Sequence, residues 1–224
     1  MDIYRIIEER LEQELSCSAH NLEHVRRVYS LCRLLAADQP EVDRDILKMA
    51  ALLHDIARVK EDEDNSGGTD HAVLGAAMAG EILEPLGVST ARIAAVQHCI
   101  AAHRYRNQNK PRTIEARILF DADKLDVIGA IGIARSFVLA GQYHEPIYSG
   151  IPLAEYIGSN LVGGVATGRV KDISRHTADL EFALKLKHIP QRLYTEKAKR
   201  LAAARVRFMA DFFARLEKEI AGEL

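Results

Sequence analysis

Apolar residues recur at helical spacing along most of this chain, and no stretch sustains the period-2 alternation of a strand. Ile3, Ile6, Ile7, Leu11 and Leu15 share one face of a segment over 3–15. A second helix is expected over about 19–37, capped by Ser18 and striped by His24, Val28, Leu31 and Leu35. Pro40 breaks the chain before a third, expected over roughly 43–59. The polar, glycine-bearing stretch 61–70 reads as an exposed loop. A helix then opens at Asp70 or His71, with Gly75, Ala76, Ala79 and Gly80 small enough to admit a neighbouring backbone. Pro85-Leu86-Gly87 ends it, and Ser89 or Thr90 caps the next, which carries Ile93, Val96 and Ile100. After a basic loop at 104–112, a helix from Thr113 reaches Asp126 and continues or kinks at Gly129 and Gly132. Glycines and prolines crowd 141–176, which reads as an irregular insertion or flap. Helices at about 177–187 and 195–221 close the chain, the last striped by Leu201, Phe208, Phe212 and Leu216. The expected fold class is all-α.

With 224 residues, 48% hydrophobic and 28% charged, the composition fits one globular domain over 1–224. Its core is expected at about 18–140, followed by the insertion at 141–176 and the C-terminal helices at 177–221. A net charge of −2 gives no general footprint for nucleic acid, and the basic residues near the C-terminus are interleaved with acidic ones. Cys17, Cys32 and Cys99 are odd in number and lack CxxC spacing, which excludes a disulfide framework or zinc finger and fits a reducing compartment. The opening residues Met1-Asp2-Ile3-Tyr4-Arg5 lead into no long apolar stretch, so a cytoplasmic location without membrane contact is expected. The aromatic-bearing last helix offers a surface for a homodimer.

His54-Asp55 falls inside the run Ile46 to Ala57, where a carboxylate is costly unless paired or metal-bound. His24 faces inward on the preceding helix, and Asp123 lies on a later one within Asp121-Ala122-Asp123-Lys124-Leu125-Asp126. His24, His54, Asp55 and Asp123 thus converge from three predicted helices, with Asp55 about 100° around its helix from His54. Two imidazoles and two carboxylates suit Mn, Fe, Co, Ni or Zn better than Ca, and four protein ligands leave positions open for water and substrate. Asp121 competes with Asp123 for the fourth place.

These residues carry a resemblance. His24-x-x-Arg27-Val28, His54-Asp55 and Ala122-Asp123-Lys124-Leu125-Asp126, in that order, resemble the HD superfamily of metal-dependent phosphohydrolases. Asp70-His71-Ala72, Ala102-His103-Arg104 and Leu193-Tyr194-Thr195-Glu196 resemble stretches of its short single-domain members, so the similarity runs from about 18 to 215. The resemblance implies an HD-domain helical core with His24, His54, Asp55 and Asp123 as metal ligands. It favours Asp123 over Asp121, which becomes a supporting or surface charge together with Asp126. Many relatives read His-Asp where this chain has His20-Asn21, which leaves His20 a structural or supporting role.

A bound divalent ion lowers the pKa of water from about 15.7 towards neutrality, and the attack on phosphorus needs cations nearby. Arg27, Arg104 and Lys124 are the candidates for substrate binding, with Arg58, Lys60 and Arg106 behind them. Asp55, His71 and His103 are the candidates for catalysis, the histidines as general acid, phosphate donors or ligands to a second ion beside the first. His98 and His103 lie about 140° apart on a continuous helix, which argues against their sharing an ion. The expected function is hydrolysis of nucleotides or a related small phosphate ester. Pyrophosphate release from nucleoside triphosphates leads, followed by monoester hydrolysis; a di-iron oxygenase of the same fold or a non-catalytic nucleotide sensor are the alternatives.

Overall fold

Capping side chains fix where the helices begin. The computed structural model of the protein describes residues 3–15, 22–64, 66–104 and 109–224, and the chain falls into two compact units, Met1–Asp126 and Val127–Leu224. Among the described residues there is no β-strand, only an isolated antiparallel bridge between Leu161 and Val170, so the fold is all-α. No single helix is long and apolar enough to cross a membrane. Ser18, His20, Tyr105 and Arg106 lie outside the described residues.

The first unit holds α1 (Ile3–Leu15), α2 (Leu22–Leu35), α3 (Arg44–Leu53), α4 (Arg58–Glu63), α5 (His71–Leu83), α6 (Thr90–Ala101) and α7 (Ile114–Asp126). Asp43 caps α3 by accepting from the amides of Asp45 and Ile46, and Arg92 of α6 grips the same carboxylate through two nitrogens. Asp70 caps α5 by accepting from the Ala72 amide, which puts His71 at the first helical position. Ser89 sits at the start of α6 but contributes no side-chain cap. Helix α2 packs on α3 and α7, α3 on α6, and α5 on α6. Val28, Leu53, Ile56, Ile100, Leu119 and Leu125 are sealed between them, each stabilising the unit by roughly 1.5–3 kcal/mol. A Cβ at Gly75 would lie 3.6 Å from the His54 carbonyl, the close backbone approach expected of this small-residue face.

The third helix ends earlier than its apolar periodicity implies. It stops at Leu53, and His54 to Ala57 form a turn before α4. There i→i+3 bonds replace the helical ladder, from the Ile56 amide to Leu53 and from the Arg58 amide to Asp55. The Ala51 carbonyl accepts from the His54 ring, so a polar side chain serves the end of the helix from within the core. His54 and Asp55 are therefore residues of a helix break, and the 100° relation assumed for a continuous helix does not apply. The expected loop is shorter than 61–70, because α4 runs through Glu63.

The second unit opens with Gly129 at φ +82, so the chain does not carry α7 onward but starts α8 (Ala130–Gln142) afresh. It continues with α9 (Leu153–Asn160), two single 3₁₀ turns, α10 (Ala178–Leu184), a 3₁₀ stretch over Leu186–Arg192 and α11 (Glu196–Ile220). The glycine-rich segment is better ordered than expected. Tyr156, Leu161 and Leu180 form its own buried cluster, and Asn160 ties α9 to Asp172 through both ends of its amide. Thr195 caps α11. Its buried stripe is Ala198, Ala202, Met209 and Phe213, one residue round from the stripe expected, and Phe208 is 53% exposed. The small alanines permit close packing, which the larger residues at 201 and 208 do not.

Candidate metal centre

Four imidazoles and two carboxylates meet in the interior of the first unit. His24 comes from α2, His54 and Asp55 from the turn after α3, His71 from the first residue of α5, His103 from just beyond α6 and Asp123 from α7. All six are buried. Asp55 stands at the middle. Its Oδ2 lies 3.6 Å from His24 Nε2 and 3.7 Å from His54 Nε2, while its Oδ1 lies 3.3 Å from His71 Nε2 and 3.6 Å from His103 Nε2. Asp123 Oδ1 faces the first pair, 3.4 Å from His24 Nε2 and 3.9 Å from His54 Nε2.

Each ring is oriented through its other nitrogen. His24 Nδ1 donates to Asp126 Oδ2 at 2.8 Å, His54 Nδ1 to the Ala51 carbonyl at 2.8 Å, His71 Nδ1 to Glu61 Oε2 at 2.7 Å and His103 Nδ1 to the Ile100 carbonyl at 2.6 Å. Because carbonyl and carboxylate oxygens only accept, these bonds put hydrogen on Nδ1 and turn Nε2 to the centre. The result is two facing pairs, His24 and His54 with Nε2 atoms 3.3 Å apart, and His71 and His103 at 3.2 Å. Two lone pairs at that distance repel unless a proton or a cation lies between them. Two sets have ligand atoms close enough to share an ion, His24, His54 and Asp55, and Asp55, His71 and His103. The nitrogen and oxygen donors fit a divalent transition metal.

The charges follow this arrangement. Burial would raise Asp55 and Asp123, but His54, His103 and His24 around the first, and Lys124, His24 and His54 around the second, hold both well below the usual carboxylate range. Burial opposes a charge on His24 too, yet Asp123 and Asp126 push it up to about 9. His54, enclosed with no carboxylate hydrogen bond of its own, is pushed down to about 4 by burial. Burial likewise lowers His71.

Of the expected substrate cations, Arg27, Arg58, Arg104 and Lys124 lie at or beside the centre, each engaged. Arg27 gives Nε and Nη2 to the two oxygens of Asp126, at 2.8 and 2.9 Å, so it backs His24 through that carboxylate. Lys124 Nζ donates to Asp123 Oδ2 at 2.6 Å. Arg104 binds Glu61 and lies 3.3 Å from Asp70. Arg58 donates to Glu61 at 2.7 Å and its buried Nε has no partner among the described residues. Lys60 pairs with Glu14 at the surface. Asp121 is fully buried but belongs to neither ligand set. His98 turns away to accept from the Arg112 amide, whereas His103 reaches the centre because α6 has already ended at Ala101.

Glu61, in a stretch whose polarity predicts an exposed loop, lies instead on α4 and meets His71 and Arg104. Burial would raise its pKa, but His71 and Arg104, with Arg58 behind them, hold it low. The available signal was its spacing, six residues beyond Asp55 and one helical turn after the break.

The HD domain family matches residues 21–128 of the chain. The protein YpgQ of Bacillus subtilis is 30% identical over 209 residues, covering 92% of this chain and 86% of the relative. An HD-superfamily hydrolase from Bacillus thuringiensis superposes with a TM-score of 0.69 at 29% identity, over 98% of this chain and 96% of that one. The crystal structure of Bacillus subtilis YpgQ in complex with ADP matches over the full length of both chains, with a TM-score of 0.69 and 25% identity.

Proposed function

This chain belongs to the HD-domain family and is a metal-dependent phosphohydrolase, and we propose that it cleaves nucleoside triphosphates to the monophosphate and pyrophosphate. The observation that carries the reading is Asp55, one carboxylate facing an Nε2 pair on each side. His24, His54 and Asp55, with Asp123 beside them, would hold one divalent ion, and Asp55, His71 and His103 a second. When bound, such ions supply Lewis acidity that withdraws charge from a phosphoryl oxygen and acidifies water. The small-nucleotide complex of YpgQ supports a nucleotide as the substrate class.

The chain's own groups do the rest. Asp126 and Arg27 fix the His24 ring, and Glu61 fixes His71, so the centre is organised before substrate arrives. Arg104 and Arg58, three-quarters or more buried and held by Glu61, are placed to hand hydrogen bonds to phosphate oxygens, where the low dielectric strengthens them. Lys124, 14% exposed beside Asp123, adds a third positive charge against the polyanionic pyrophosphate leaving group. Water attacks the α-phosphorus in line with the bridging oxygen and loses a proton to solvent, that P–O bond breaks, and pyrophosphate leaves with the bridging oxygen.

A panel of nucleoside mono-, di- and triphosphates incubated with the protein and Mn²⁺, scored separately for phosphate and pyrophosphate, tests the proposal. Pyrophosphate from triphosphates, absent with Asp55→Ala, supports it. Phosphate alone replaces it with a monoesterase, and oxygen uptake with two irons per chain and no hydrolysis replaces it with the oxygenase.

A further inference from the structure

Of the six buried residues at the centre, His71 is the one that opens a helix. The first amides of a helix have no partner inside it, so the opening turn frays before the rest. Asp70 meets that need for α5. From an extended backbone its Oδ1 accepts from the Ala72 amide at 2.9 Å, and its carbonyl accepts from the amides of Val73 and Leu74 at 3.1 and 3.0 Å. One turn on, Gly75 lies against the His54 carbonyl and Ala57. His71 and Gly75 are four residues apart and share a face. The face of α5 that carries His71 is thus laid on the turn that carries Asp55, and Asp70 fixes where that face begins.

The His71 ring has little slack. Its Nε2 lies 3.3 Å from Asp55 Oδ1 and 3.2 Å from His103 Nε2, while its Nδ1 is bonded to Glu61 at 2.7 Å. These contacts act on the ring and leave the backbone of His71 to the first turn of α5. The other ligand set draws on α2 and the turn after α3, with Asp123 of α7 beside it, and Asp70 caps none of these. Asp70 Oδ1 also lies 3.3 Å from Arg104 Nη1, so a cap and a counter-charge coincide in one oxygen. Asn and Ser separate the two roles, because both cap a helix about as well as Asp and neither carries a charge.

We propose that Asp70 is a positioning residue for the second ion: by capping α5 it sets His71 against Asp55 and His103, and so governs the affinity of that half of the centre alone. The inference rests on the two-ion reading above. Calorimetric titration of Mn²⁺ into the chelated full chain, without substrate, tests it. Asp70→Ala should weaken one of the two sites roughly fivefold, the share a helix cap contributes, and leave the other as in wild type. In the metal-free variant the Ala72 amide should exchange its hydrogen faster. Asp70→Asn and Asp70→Ser should restore both the affinity and the protection. Two wild-type sites that Asp70→Ala leaves unchanged, or weakens equally, overturn the proposal. So does an Asn or Ser variant as weak as the Ala one, which transfers the effect to the charge beside Arg104. Uptake of a single ion by wild type overturns instead the two-ion reading, and this inference with it.

Discussion

His71 and His103 face each other with Nε2 atoms 3.2 Å apart, while the Nδ1 of each donates elsewhere, to Glu61 and to the Ile100 carbonyl. The relationship is repeated by His24 and His54 across Asp55. Between His24 and His54 a proton shared from His24 bridges the two nitrogens, whereas between His71 and His103 a lone pair on each Nε2 would repel, and either arrangement is prepared for a cation. Adding Mn²⁺ to chelated protein should therefore raise its melting temperature. At a free concentration of about 100 times Kd the gain is about 2.7 kcal/mol, or roughly 5–10 °C for a chain of this size. Thermal scans across a Mn²⁺ series check this; a concentration-independent transition would refute it.

The metal-free protein should also carry a two-sided pH signature. His24, pushed up to about 9 from 6.5, contributes stability that is full below about pH 6.5 and lost as pH rises through 9. His54, pushed down to about 4 from 6.5, contributes in the opposite sense, fully above about pH 6.5 and less as pH falls through 4. Melting temperature of chelated protein should peak between those limits, and histidine ring protons should show one titration near 9. A ring that titrates near 6.5 at His24 would contradict the account.

Asp126 acts on the site only through His24. Asp126→Asn keeps an acceptor but loses the charge that Arg27 and His24 both engage, so metal affinity should fall roughly 10–100-fold with the fold intact. Arg27→Ala should follow in the same direction with a smaller loss. Calorimetric metal titration separates this from a direct substrate role, in which metal affinity would stay constant and KM would rise.

Under the proposed function Arg104, bound to Glu61 in the structure, gives a hydrogen bond to a phosphate oxygen when substrate binds. Arg104→Ala should raise KM by roughly tenfold or more, the cost of a charge-assisted hydrogen bond, and leave the metal content unchanged. Steady-state kinetics decide it, and an unchanged KM removes this residue from the substrate.

Two glycines test the packing account. Gly75→Ala brings a Cβ only into ordinary contact, at 3.6 Å or more, and should be neutral or stabilise by up to about 1 kcal/mol through helix propensity. Gly132→Ala would drive a Cβ into the Val127 carbonyl oxygen, a backbone atom, and should lower the denaturation midpoint clearly.

Much of the centre was legible in the sequence because a buried carboxylate beside a histidine in an apolar run demands a reason. His24, His54 and Asp55 come together, and Asp123 lies 3.4 Å from His24 although, like Asp121, it stands outside the two sets. The grouping of His71 with His103 was obscured by treating residues 98–103 as one helix, when α6 ends at Ala101 and frees His103 to turn inward. The break after Leu53 was hidden for a related reason. Its residues stay apolar through Ile56 and Ala57, so hydrophobic periodicity runs across a turn made by side-chain hydrogen bonding. Glu61 reads as one more charge in a polar stretch, and only the fold brings His71, Arg58 and Arg104 around it. The buried stripe of α11 lies one residue round from its largest apolar residues because its alanines pack closest.

Counting Mn²⁺ on chelated and reloaded protein tests the sharing of Asp55 most directly. Wild type should take up two ions per chain, His71→Ala one, and Asp55→Ala neither at concentrations that saturate wild type. Full loading of Asp55→Ala, or a wild type whose uptake His71→Ala leaves unchanged, would contradict a centre built on one carboxylate between two imidazole pairs.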